Sequence, residues 1–165
     1  MELGANGEKL IKHFEKCRLA AYQDSKGIWT IGWGNTVYED GKAVKKGDTI
    51  TQQRADALFA NIKKGFVADV NKLTAGVKGL KQQQFDALVC FAYNVGSDMN
   101  KNGIAEGLGD STLLKVVKAD PKDPSVVMEF LKWNMSGGKV LDGLTRRRKA
   151  EAYLYMSGEV EFFDY

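Results

Sequence analysis

Leu19-Ala20-Ala21-Tyr22-Gln23-Asp24-Ser25-Lys26-Gly27-Ile28-Trp29-Thr30-Ile31-Gly32-Trp33-Gly34-Asn35-Thr36 decides the fold, because it is the one run with strand chemistry in a chain whose other long patterns are helical. Tyr22, Trp29, Thr30, Ile31 and Trp33 have β-type composition, and Asp24-Ser25-Lys26-Gly27 is turn chemistry, so a short hairpin is predicted. Gly32, Gly34, Gly41 and Gly47 break up the next segment of chain, with a third short strand expected around Lys42 to Val44. A sheet segment of about 35 residues is too small to stand alone.

On the amino-terminal side, Asn6 followed by Glu8 and a stripe of Leu10, Ile11 and Phe14 reads as a capped amphipathic helix ending near Arg18. On the other side, Thr51 caps a long pattern in which Ala55, Leu58, Phe59, Ile62, Phe66 and Val70 advance by three and four. A helix of roughly 20 residues spans about 30 Å and is expected to bridge two lobes. The rest of the chain carries only helical signals: Leu80 to Val95, Ser111 to Lys118, Ser125 to Met135, and Gly143 to Met156, stopped by Gly158. The expected architecture is α+β and mostly helical, a single domain over residues 1–165. Its sheet lobe lies at about 13–55, its bridging helix at about 52–72, and its helical lobe at about 73–165 together with the first helix.

Composition bounds the chemistry. The 165 residues carry 24 basic and 21 acidic side chains, a net charge of +3, with 44% hydrophobic and 27% charged residues. With two prolines and 10% aromatic residues the chain is neither disordered nor collagen-like. No apolar stretch approaches the ~18 residues of a membrane span, and the first fifteen residues lack the apolar core of a signal peptide. Synthesis in the cytoplasm without stable membrane insertion is expected. Cys17, Cys90 and a lone His13 make no disulfide scaffold and no metal cage, a Ser/His/Asp hydrolase would have to use His13, and no Gly-rich phosphate loop is present. No metal and no organic cofactor are expected. What remains for chemistry is carboxylates.

Glu15 follows Ile11 by four residues and adjoins Phe14, at the border of the apolar face, and lies in the last helical turn where the macrodipole disfavours negative charge. Both features favour the protonated acid, the form a general acid must take. A surface glutamate is the bland alternative. Asp24 opens the hairpin turn and Thr30 lies on the returning strand, so both can face the end of the first helix. Two carboxylates, one protonated and one ionised, are the equipment for cleaving a glycosidic bond, with the threonine hydroxyl to hold a water. Asp24 also has a structural reading as an Asx-turn residue, and Thr30 as a strand residue.

The segments His13-Phe14-Glu15-Lys16-Cys17-Arg18-Leu19-Ala20-Ala21-Tyr22-Gln23-Asp24 and Gly27-Ile28-Trp29-Thr30-Ile31-Gly32-Trp33-Gly34-Asn35-Thr36 resemble the active-site region of phage-type lysozymes (endolysins), glycoside hydrolase family 24. Glu15, Asp24 and Thr30 meet that family's spacing. Gln84 to Val89, Phe91 to Gly96, Ser111 to Leu114, Gly137-Gly138 and Gly143 to Glu151 recur in the family's order, so the likeness covers most of the chain. The resemblance implies a lysozyme-like fold and a muramidase that hydrolyses the β-1,4 bond between N-acetylmuramic acid and N-acetylglucosamine with inversion. In that scheme Glu15 protonates the leaving oxygen, while Asp24, helped by Thr30, orients a water. Asn35, Thr36, Tyr93, Asn94, Ser111 and Thr112 match positions lining the family's saccharide groove, although Tyr93 also reads as core and Ser111 as an N-cap. The implied partner is bacterial peptidoglycan, reached by export from the host cytoplasm to the periplasm; a monomer that binds no nucleic acid is expected.

Arg146-Arg147-Arg148-Lys149 reads mainly as a solvated face. Arg147 differs, because Leu144, Glu151 and Leu154 share its stripe and turn it inward. By resemblance it pairs with the region of the catalytic glutamate as electrostatic support. Trp29 and Trp33 are read as core. Asp98, Asn100, Asn102 and Gly103 mimic the first half of an EF-hand calcium loop, but its last position is Gly109 rather than a bidentate glutamate. A flexible glycine-rich loop beside the groove is expected there instead. Cys17 invites comparison with family members that use a cysteine near the active site as a redox catch; two reduced, buried thiols are the simpler expectation. The rivals to a muramidase are a catalytically silent wall- or nucleic-acid-binding module and a lytic transglycosylase, which needs no positioned water.

Overall fold

The computed structural model describes residues 1–165. The elements run α1 (Ala5–Glu15), β1 (Arg18–Gln23), β2 (Trp29–Gly32), α2 (Gln52–Leu73), α3 (Gln82–Val95), α4 (Thr112–Ala119), α5 (Val126–Leu131), β3 (Met135–Ser136), β4 (Lys139–Val140) and α6 (Asp142–Ser157). They form two compact units, one of Lys12–Gly65 and one joining Met1–Ile11 to Phe66–Tyr165. The α+β, mainly helical class expected from the sequence holds, and no helix is long and apolar enough to cross a membrane.

In the Lys12–Gly65 unit, α1 ends at Glu15, earlier than the predicted Arg18, because Lys16 takes φ +54° and turns the chain out of the helix. The expected cap at Asn6 is absent: that side chain donates to the Gly158 carbonyl at 3.1 Å. β1 and β2 pair antiparallel, with Tyr22 opposite Thr30 and an irregularity between Arg18 and Tyr22. The expected third strand at Lys42–Val44 does not join this sheet. Ala43 instead bridges Val37, with Val44 N–H donating to the Thr36 carbonyl at 3.0 Å, so that segment folds back on its own neighbour. The irregularity in β1 frees its middle for Asp48–Ile50: Ala20 bridges Thr49, and Ala21 N–H donates to the Asp48 carbonyl at 2.9 Å. Thr51 does cap α2, its Oγ1 accepting from Arg54 N–H at 3.1 Å. Ile31, Val44, Ala55, Leu58 and Phe59 are buried, whereas Trp33 is half-buried, its indole N–H donating to Asp56 at 2.9 Å. Trp29 is half-buried as well, so neither tryptophan is full core.

The other unit is built on α3, buried from Gln84 through Tyr93, which packs against α6. Phe91 meets Phe130 and Trp133 edge-on at 5.6 and 5.4 Å, and Phe130 meets Tyr155 at 5.8 Å. Each such pair contributes about 0.5–1.5 kcal/mol beyond area burial. Gln84 and Tyr155 both donate to the Pro121 carbonyl, at 2.9 and 2.8 Å, which ties the α4–α5 connection to α3 and α6. The helix predicted over Ser125 to Met135 stops at Leu131, and a small hairpin takes its end. Gly137 and Gly138, at φ +58° and +77°, make the two-residue turn that pairs Met135 with Val140.

Candidate active site

Helix α1 delivers Glu15 as its last residue, half-buried. The chain then reverses twice through the hairpin and closes a tight loop in which Ile31 and Asn35 exchange both backbone hydrogen bonds, at 2.8 and 2.9 Å, around Gly32-Trp33-Gly34. Gly34 sits at φ +90°, and a Cβ built there would lie 2.6 Å from Glu15 Oε2. The φ of +90° is what favours glycine at this position, and it brings the loop backbone against the carboxyl group. The sequence offered the Gly-Trp-Gly pattern but no sign that one glycine would face Glu15.

Asp24 is half-buried and keeps its turn role: Oδ1 accepts from Lys26 N–H at 2.8 Å and Ile28 N–H at 2.9 Å. Those bonds occupy one oxygen and orient the group. Thr30, 4% exposed, donates its hydroxyl to the Ile28 carbonyl at 3.0 Å. Tyr22 relates to all three, by strand register to Thr30 and by charge to the two carboxyl groups. Thr30 is its cross-strand partner, and the phenol is pushed above its ordinary range by burial, then by the charge of Glu15, with Asp24 adding to and Arg18 opposing the shift. The Arg18 guanidinium carbon lies 4.3 Å from the centre of the Tyr22 ring. Tyr22 thus stays protonated at neutral pH beside both carboxyl groups, a neighbour that sequence spacing did not single out.

Asn35 and Thr36 belong to the same unit. Asn35 is 3% exposed, its Oδ1 buried without a hydrogen bond, and it lines a cavity of about 210 Å³ with Val37, Tyr38, Leu58, Asn61 and Ile62. Thr36 is exposed. The remaining candidates lie in the other unit. Tyr93 is buried against Phe66, ring centroids 5.2 Å apart, and Asn94 and Thr112 are exposed. Ser111 departs from the expected saccharide contact: it is completely buried, its hydroxyl donating to the Leu108 carbonyl at 2.7 Å and accepting from Leu114 N–H at 3.0 Å. Its polar capacity is spent on capping α4.

Arg147 points inward as its stripe predicted, with Nε 3.2 Å from Glu151 Oε1 and Nη2 donating to the Cys90 carbonyl at 3.2 Å. Arg148, read as part of a solvated face, is also buried, its Nε 2.8 Å from Glu151 Oε2. Complete burial pushes the Glu151 carboxyl up and the Arg148 guanidinium down from their ordinary values, and the mutual attraction of the opposite charges works against both shifts. The spacing of Arg148 to Glu151, three residues apart on one helix, was the available signal.

The Asp98–Asp110 loop is tied down rather than loose. Asp98 Oδ2 accepts from Glu106 N–H at 3.0 Å, Asp110 Oδ2 from Gly103 N–H at 2.9 Å, and Asn102 Oδ1 from Ile104 N–H at 2.8 Å. These oxygens are committed to backbone amides, the use that short polar side chains find in turns. Both thiols are free; Cys90 is buried as expected, but Cys17 is only half-buried, its Sγ 3.6 Å from Gln52 Nε2.

Comparison with known proteins gives the lineage. The phage lysozyme family profile matches residues 12–151. The endolysin of Bacillus phage B103 is 38% identical over 161 residues, covering 96% of this chain, which spans 56% of that relative's length. Among solved structures, the endolysin from Escherichia coli O157:H7 phage FAHEc1 superposes with a TM-score of 0.81 at 36% identity, covering 98% of this chain and 97% of its own. The muramidase domain of SpmX from Asticcacaulis excentricus gives 0.75 at 32% identity, covering 94% and 98%. With a match that takes in the end of α1, the hairpin, α2 and the buried Arg147–Glu151 turn of α6, the chain belongs to the phage lysozyme family.

Proposed function

We propose that this chain is a peptidoglycan muramidase that hydrolyses the β-1,4 bond between N-acetylmuramic acid and N-acetylglucosamine, releasing phage from its host. Glu15 is the general acid that protonates the leaving glycosidic oxygen. Asp24 orients the attacking water, helped by Thr30, so the product is inverted; such chemistry needs the two carboxyl groups about 6.5–9.5 Å apart. The observation that carries the reading is the Glu15 carboxyl at the end of α1, lying against the backbone of Gly34 in the loop that follows the hairpin. Asp24 supports the reading because its turn bonds use Oδ1 and leave Oδ2 for a water.

Arg147 gives the acid electrostatic support. Asn35, Thr36, Tyr93, Asn94 and Thr112 contact saccharide, while Ser111 serves α4 instead. No organic cofactor takes part. The protein acts as a monomer on the periplasmic wall after export from the host cytoplasm, and binds no nucleic acid.

The test is turbidity clearing of outer-membrane-permeabilised cells by wild type and Glu15→Gln, with mass analysis of the released muropeptides. Clearing by wild type alone, with reducing-end muramic acid products, is the expected result. Anhydro products would move the protein to the transglycosylases, and clearing by Glu15→Gln would remove Glu15 from the mechanism.

A further inference from the structure

Trp33 carries the only side chain in the Gly32-Trp33-Gly34 loop, whose two glycines sit at φ +63° and +90°. The indole is therefore the loop's side-chain anchor. Its N–H donates to Asp56 Oδ1 on α2 at 2.9 Å, and its ring centre stands 6.2 Å from that of Phe59, which is buried one turn further along the same helix. Lys12, in the last turn of α1 before Glu15, sets its ammonium 5.3 Å from the centre of the Trp33 ring and 5.2 Å from that of Phe59. A cation over two aromatic faces is attracted to both.

Asp56 gathers more than the indole. Gln52 Nε2 donates to the same oxygen at 3.0 Å and lies 3.6 Å from Sγ of Cys17, which follows Glu15 by two residues. The indole bond first and the Gln52 bond second hold the Asp56 carboxyl below its ordinary range, with desolvation opposing and the charge of Lys12 assisting. The chain before Glu15, the chain after it and the loop against it thus all lead to the first two turns of α2, within the Lys12–Gly65 unit. A glutamate side chain has several rotatable bonds, so its carboxyl is placed by what surrounds it.

We propose that Trp33 and Asp56 are positioning residues for Glu15: the indole N–H bond to Asp56 anchors the Gly32-Trp33-Gly34 loop on α2, and the anchored loop sets where the Glu15 carboxyl stands. The proposal rests on Glu15 being the general acid of a muramidase and adds the means by which that acid is held. Trp33→Phe keeps a ring beside Lys12 and Phe59 and deletes the donor. Asp56→Leu deletes the acceptor, whereas Asp56→Asn keeps one. Asp56 is exposed, so its variants are expected to fold and carry the test even where Trp33→Phe does not. With the full chain acting on soluble peptidoglycan fragments, Trp33→Phe and Asp56→Leu are each expected to lower kcat about tenfold, with KM within about twofold of wild type. Asp56→Asn should return kcat to within about twofold, and the double variant Trp33→Phe/Asp56→Leu should fall no further than Asp56→Leu alone, because one bond is lost in both.

The split between kcat and KM, the rescue by asparagine and the lack of further loss in the double variant together make a pattern that a merely structural bond does not give. A wild-type kcat for Asp56→Leu overturns the proposal, as do losses that multiply in the double variant. A raised KM with unchanged kcat also overturns it, since the loop would then serve substrate binding and not the acid. Asp56→Asn as slow as Asp56→Leu would assign the effect to charge and remove the bond from the argument. Glu15→Gln, measured alongside, keeps the two readings apart. Full activity in that variant removes the general-acid assignment and this inference with it, whereas an inactive Glu15→Gln beside a wild-type Asp56→Leu removes the positioning role alone.

Discussion

At the scale of single residues, Gly34 and Asp24 each have a structural duty beside the chemistry proposed for the site. Gly34→Ala would bring a Cβ to 2.6 Å from Glu15 Oε2 at a backbone φ of +90° that alanine rarely takes. The loop or the carboxyl must move, and a misplacement of about 1 Å in a catalytic group costs on the order of 100-fold in rate. Wall clearing by Gly34→Ala should therefore fall about 100-fold while circular dichroism reports a folded protein; near-wild-type clearing would mean that the approach to Glu15 has no catalytic consequence. Asp24 reads from the sequence both as a turn residue and as a carboxylate for catalysis, and the structure shows the turn role. Oδ1 closes the turn through Lys26 and Ile28, and that orients the rest of the group.

At the scale of elements, α1 ends where it does because Lys16 adopts the left-handed conformation, φ +54°, immediately after Glu15. Glycine is the residue that takes this position without strain. Lys16→Gly is accordingly expected to leave stability unchanged or raise it by up to about 1 kcal/mol in urea unfolding, whereas Lys16→Val should lower it. The back of the sheet unit offers a pH test. Tyr38 donates to Asp48 Oδ2 at 2.8 Å, and its phenol is pushed up to about 12 by burial and by that bond. The folded state therefore holds the phenolic proton more tightly than the unfolded chain, whose tyrosines titrate near about 10. This contribution is complete below pH ~10 and is lost as pH rises toward ~12. Tyr38→Phe should flatten the fall of Tm between pH 9 and pH 11; Tyr22 and Tyr155, also shifted upward, will keep some of the slope. An unchanged slope would show that the Tyr38–Asp48 bond does not persist in solution.

At the scale of the whole molecule, the helical unit is pinned by a buried charge cluster as well as by its aromatic core. Glu151 is completely buried between Arg147 and Arg148, and the two arginines reach the Cys90 carbonyl and Asn94 on α3. Removing that anion strips the fully buried Arg148 of its carboxylate partner, which costs about 3–5 kcal/mol. Glu151→Gln should lower Tm by roughly 10 °C in a chain of this size, and a loss of only a degree or two would show that water reaches the site. The amino-acid sequence by itself determined the order of the helices, the hairpin with its Asp24 turn, the caps at Thr51 and Ser111, and the spacing of Glu15, Asp24 and Thr30. Each of these is a local property, set by periodicity, turn chemistry or a few residues of separation. The pairing of Ala20 with Thr49, the approach of Gly34 to Glu15 and the burial of Arg148 were decided only in the tertiary structure. Such contacts join residues distant in the chain, and whether a glycine meets a carboxylate or an arginine meets water depends on what the rest of the fold has already brought beside it.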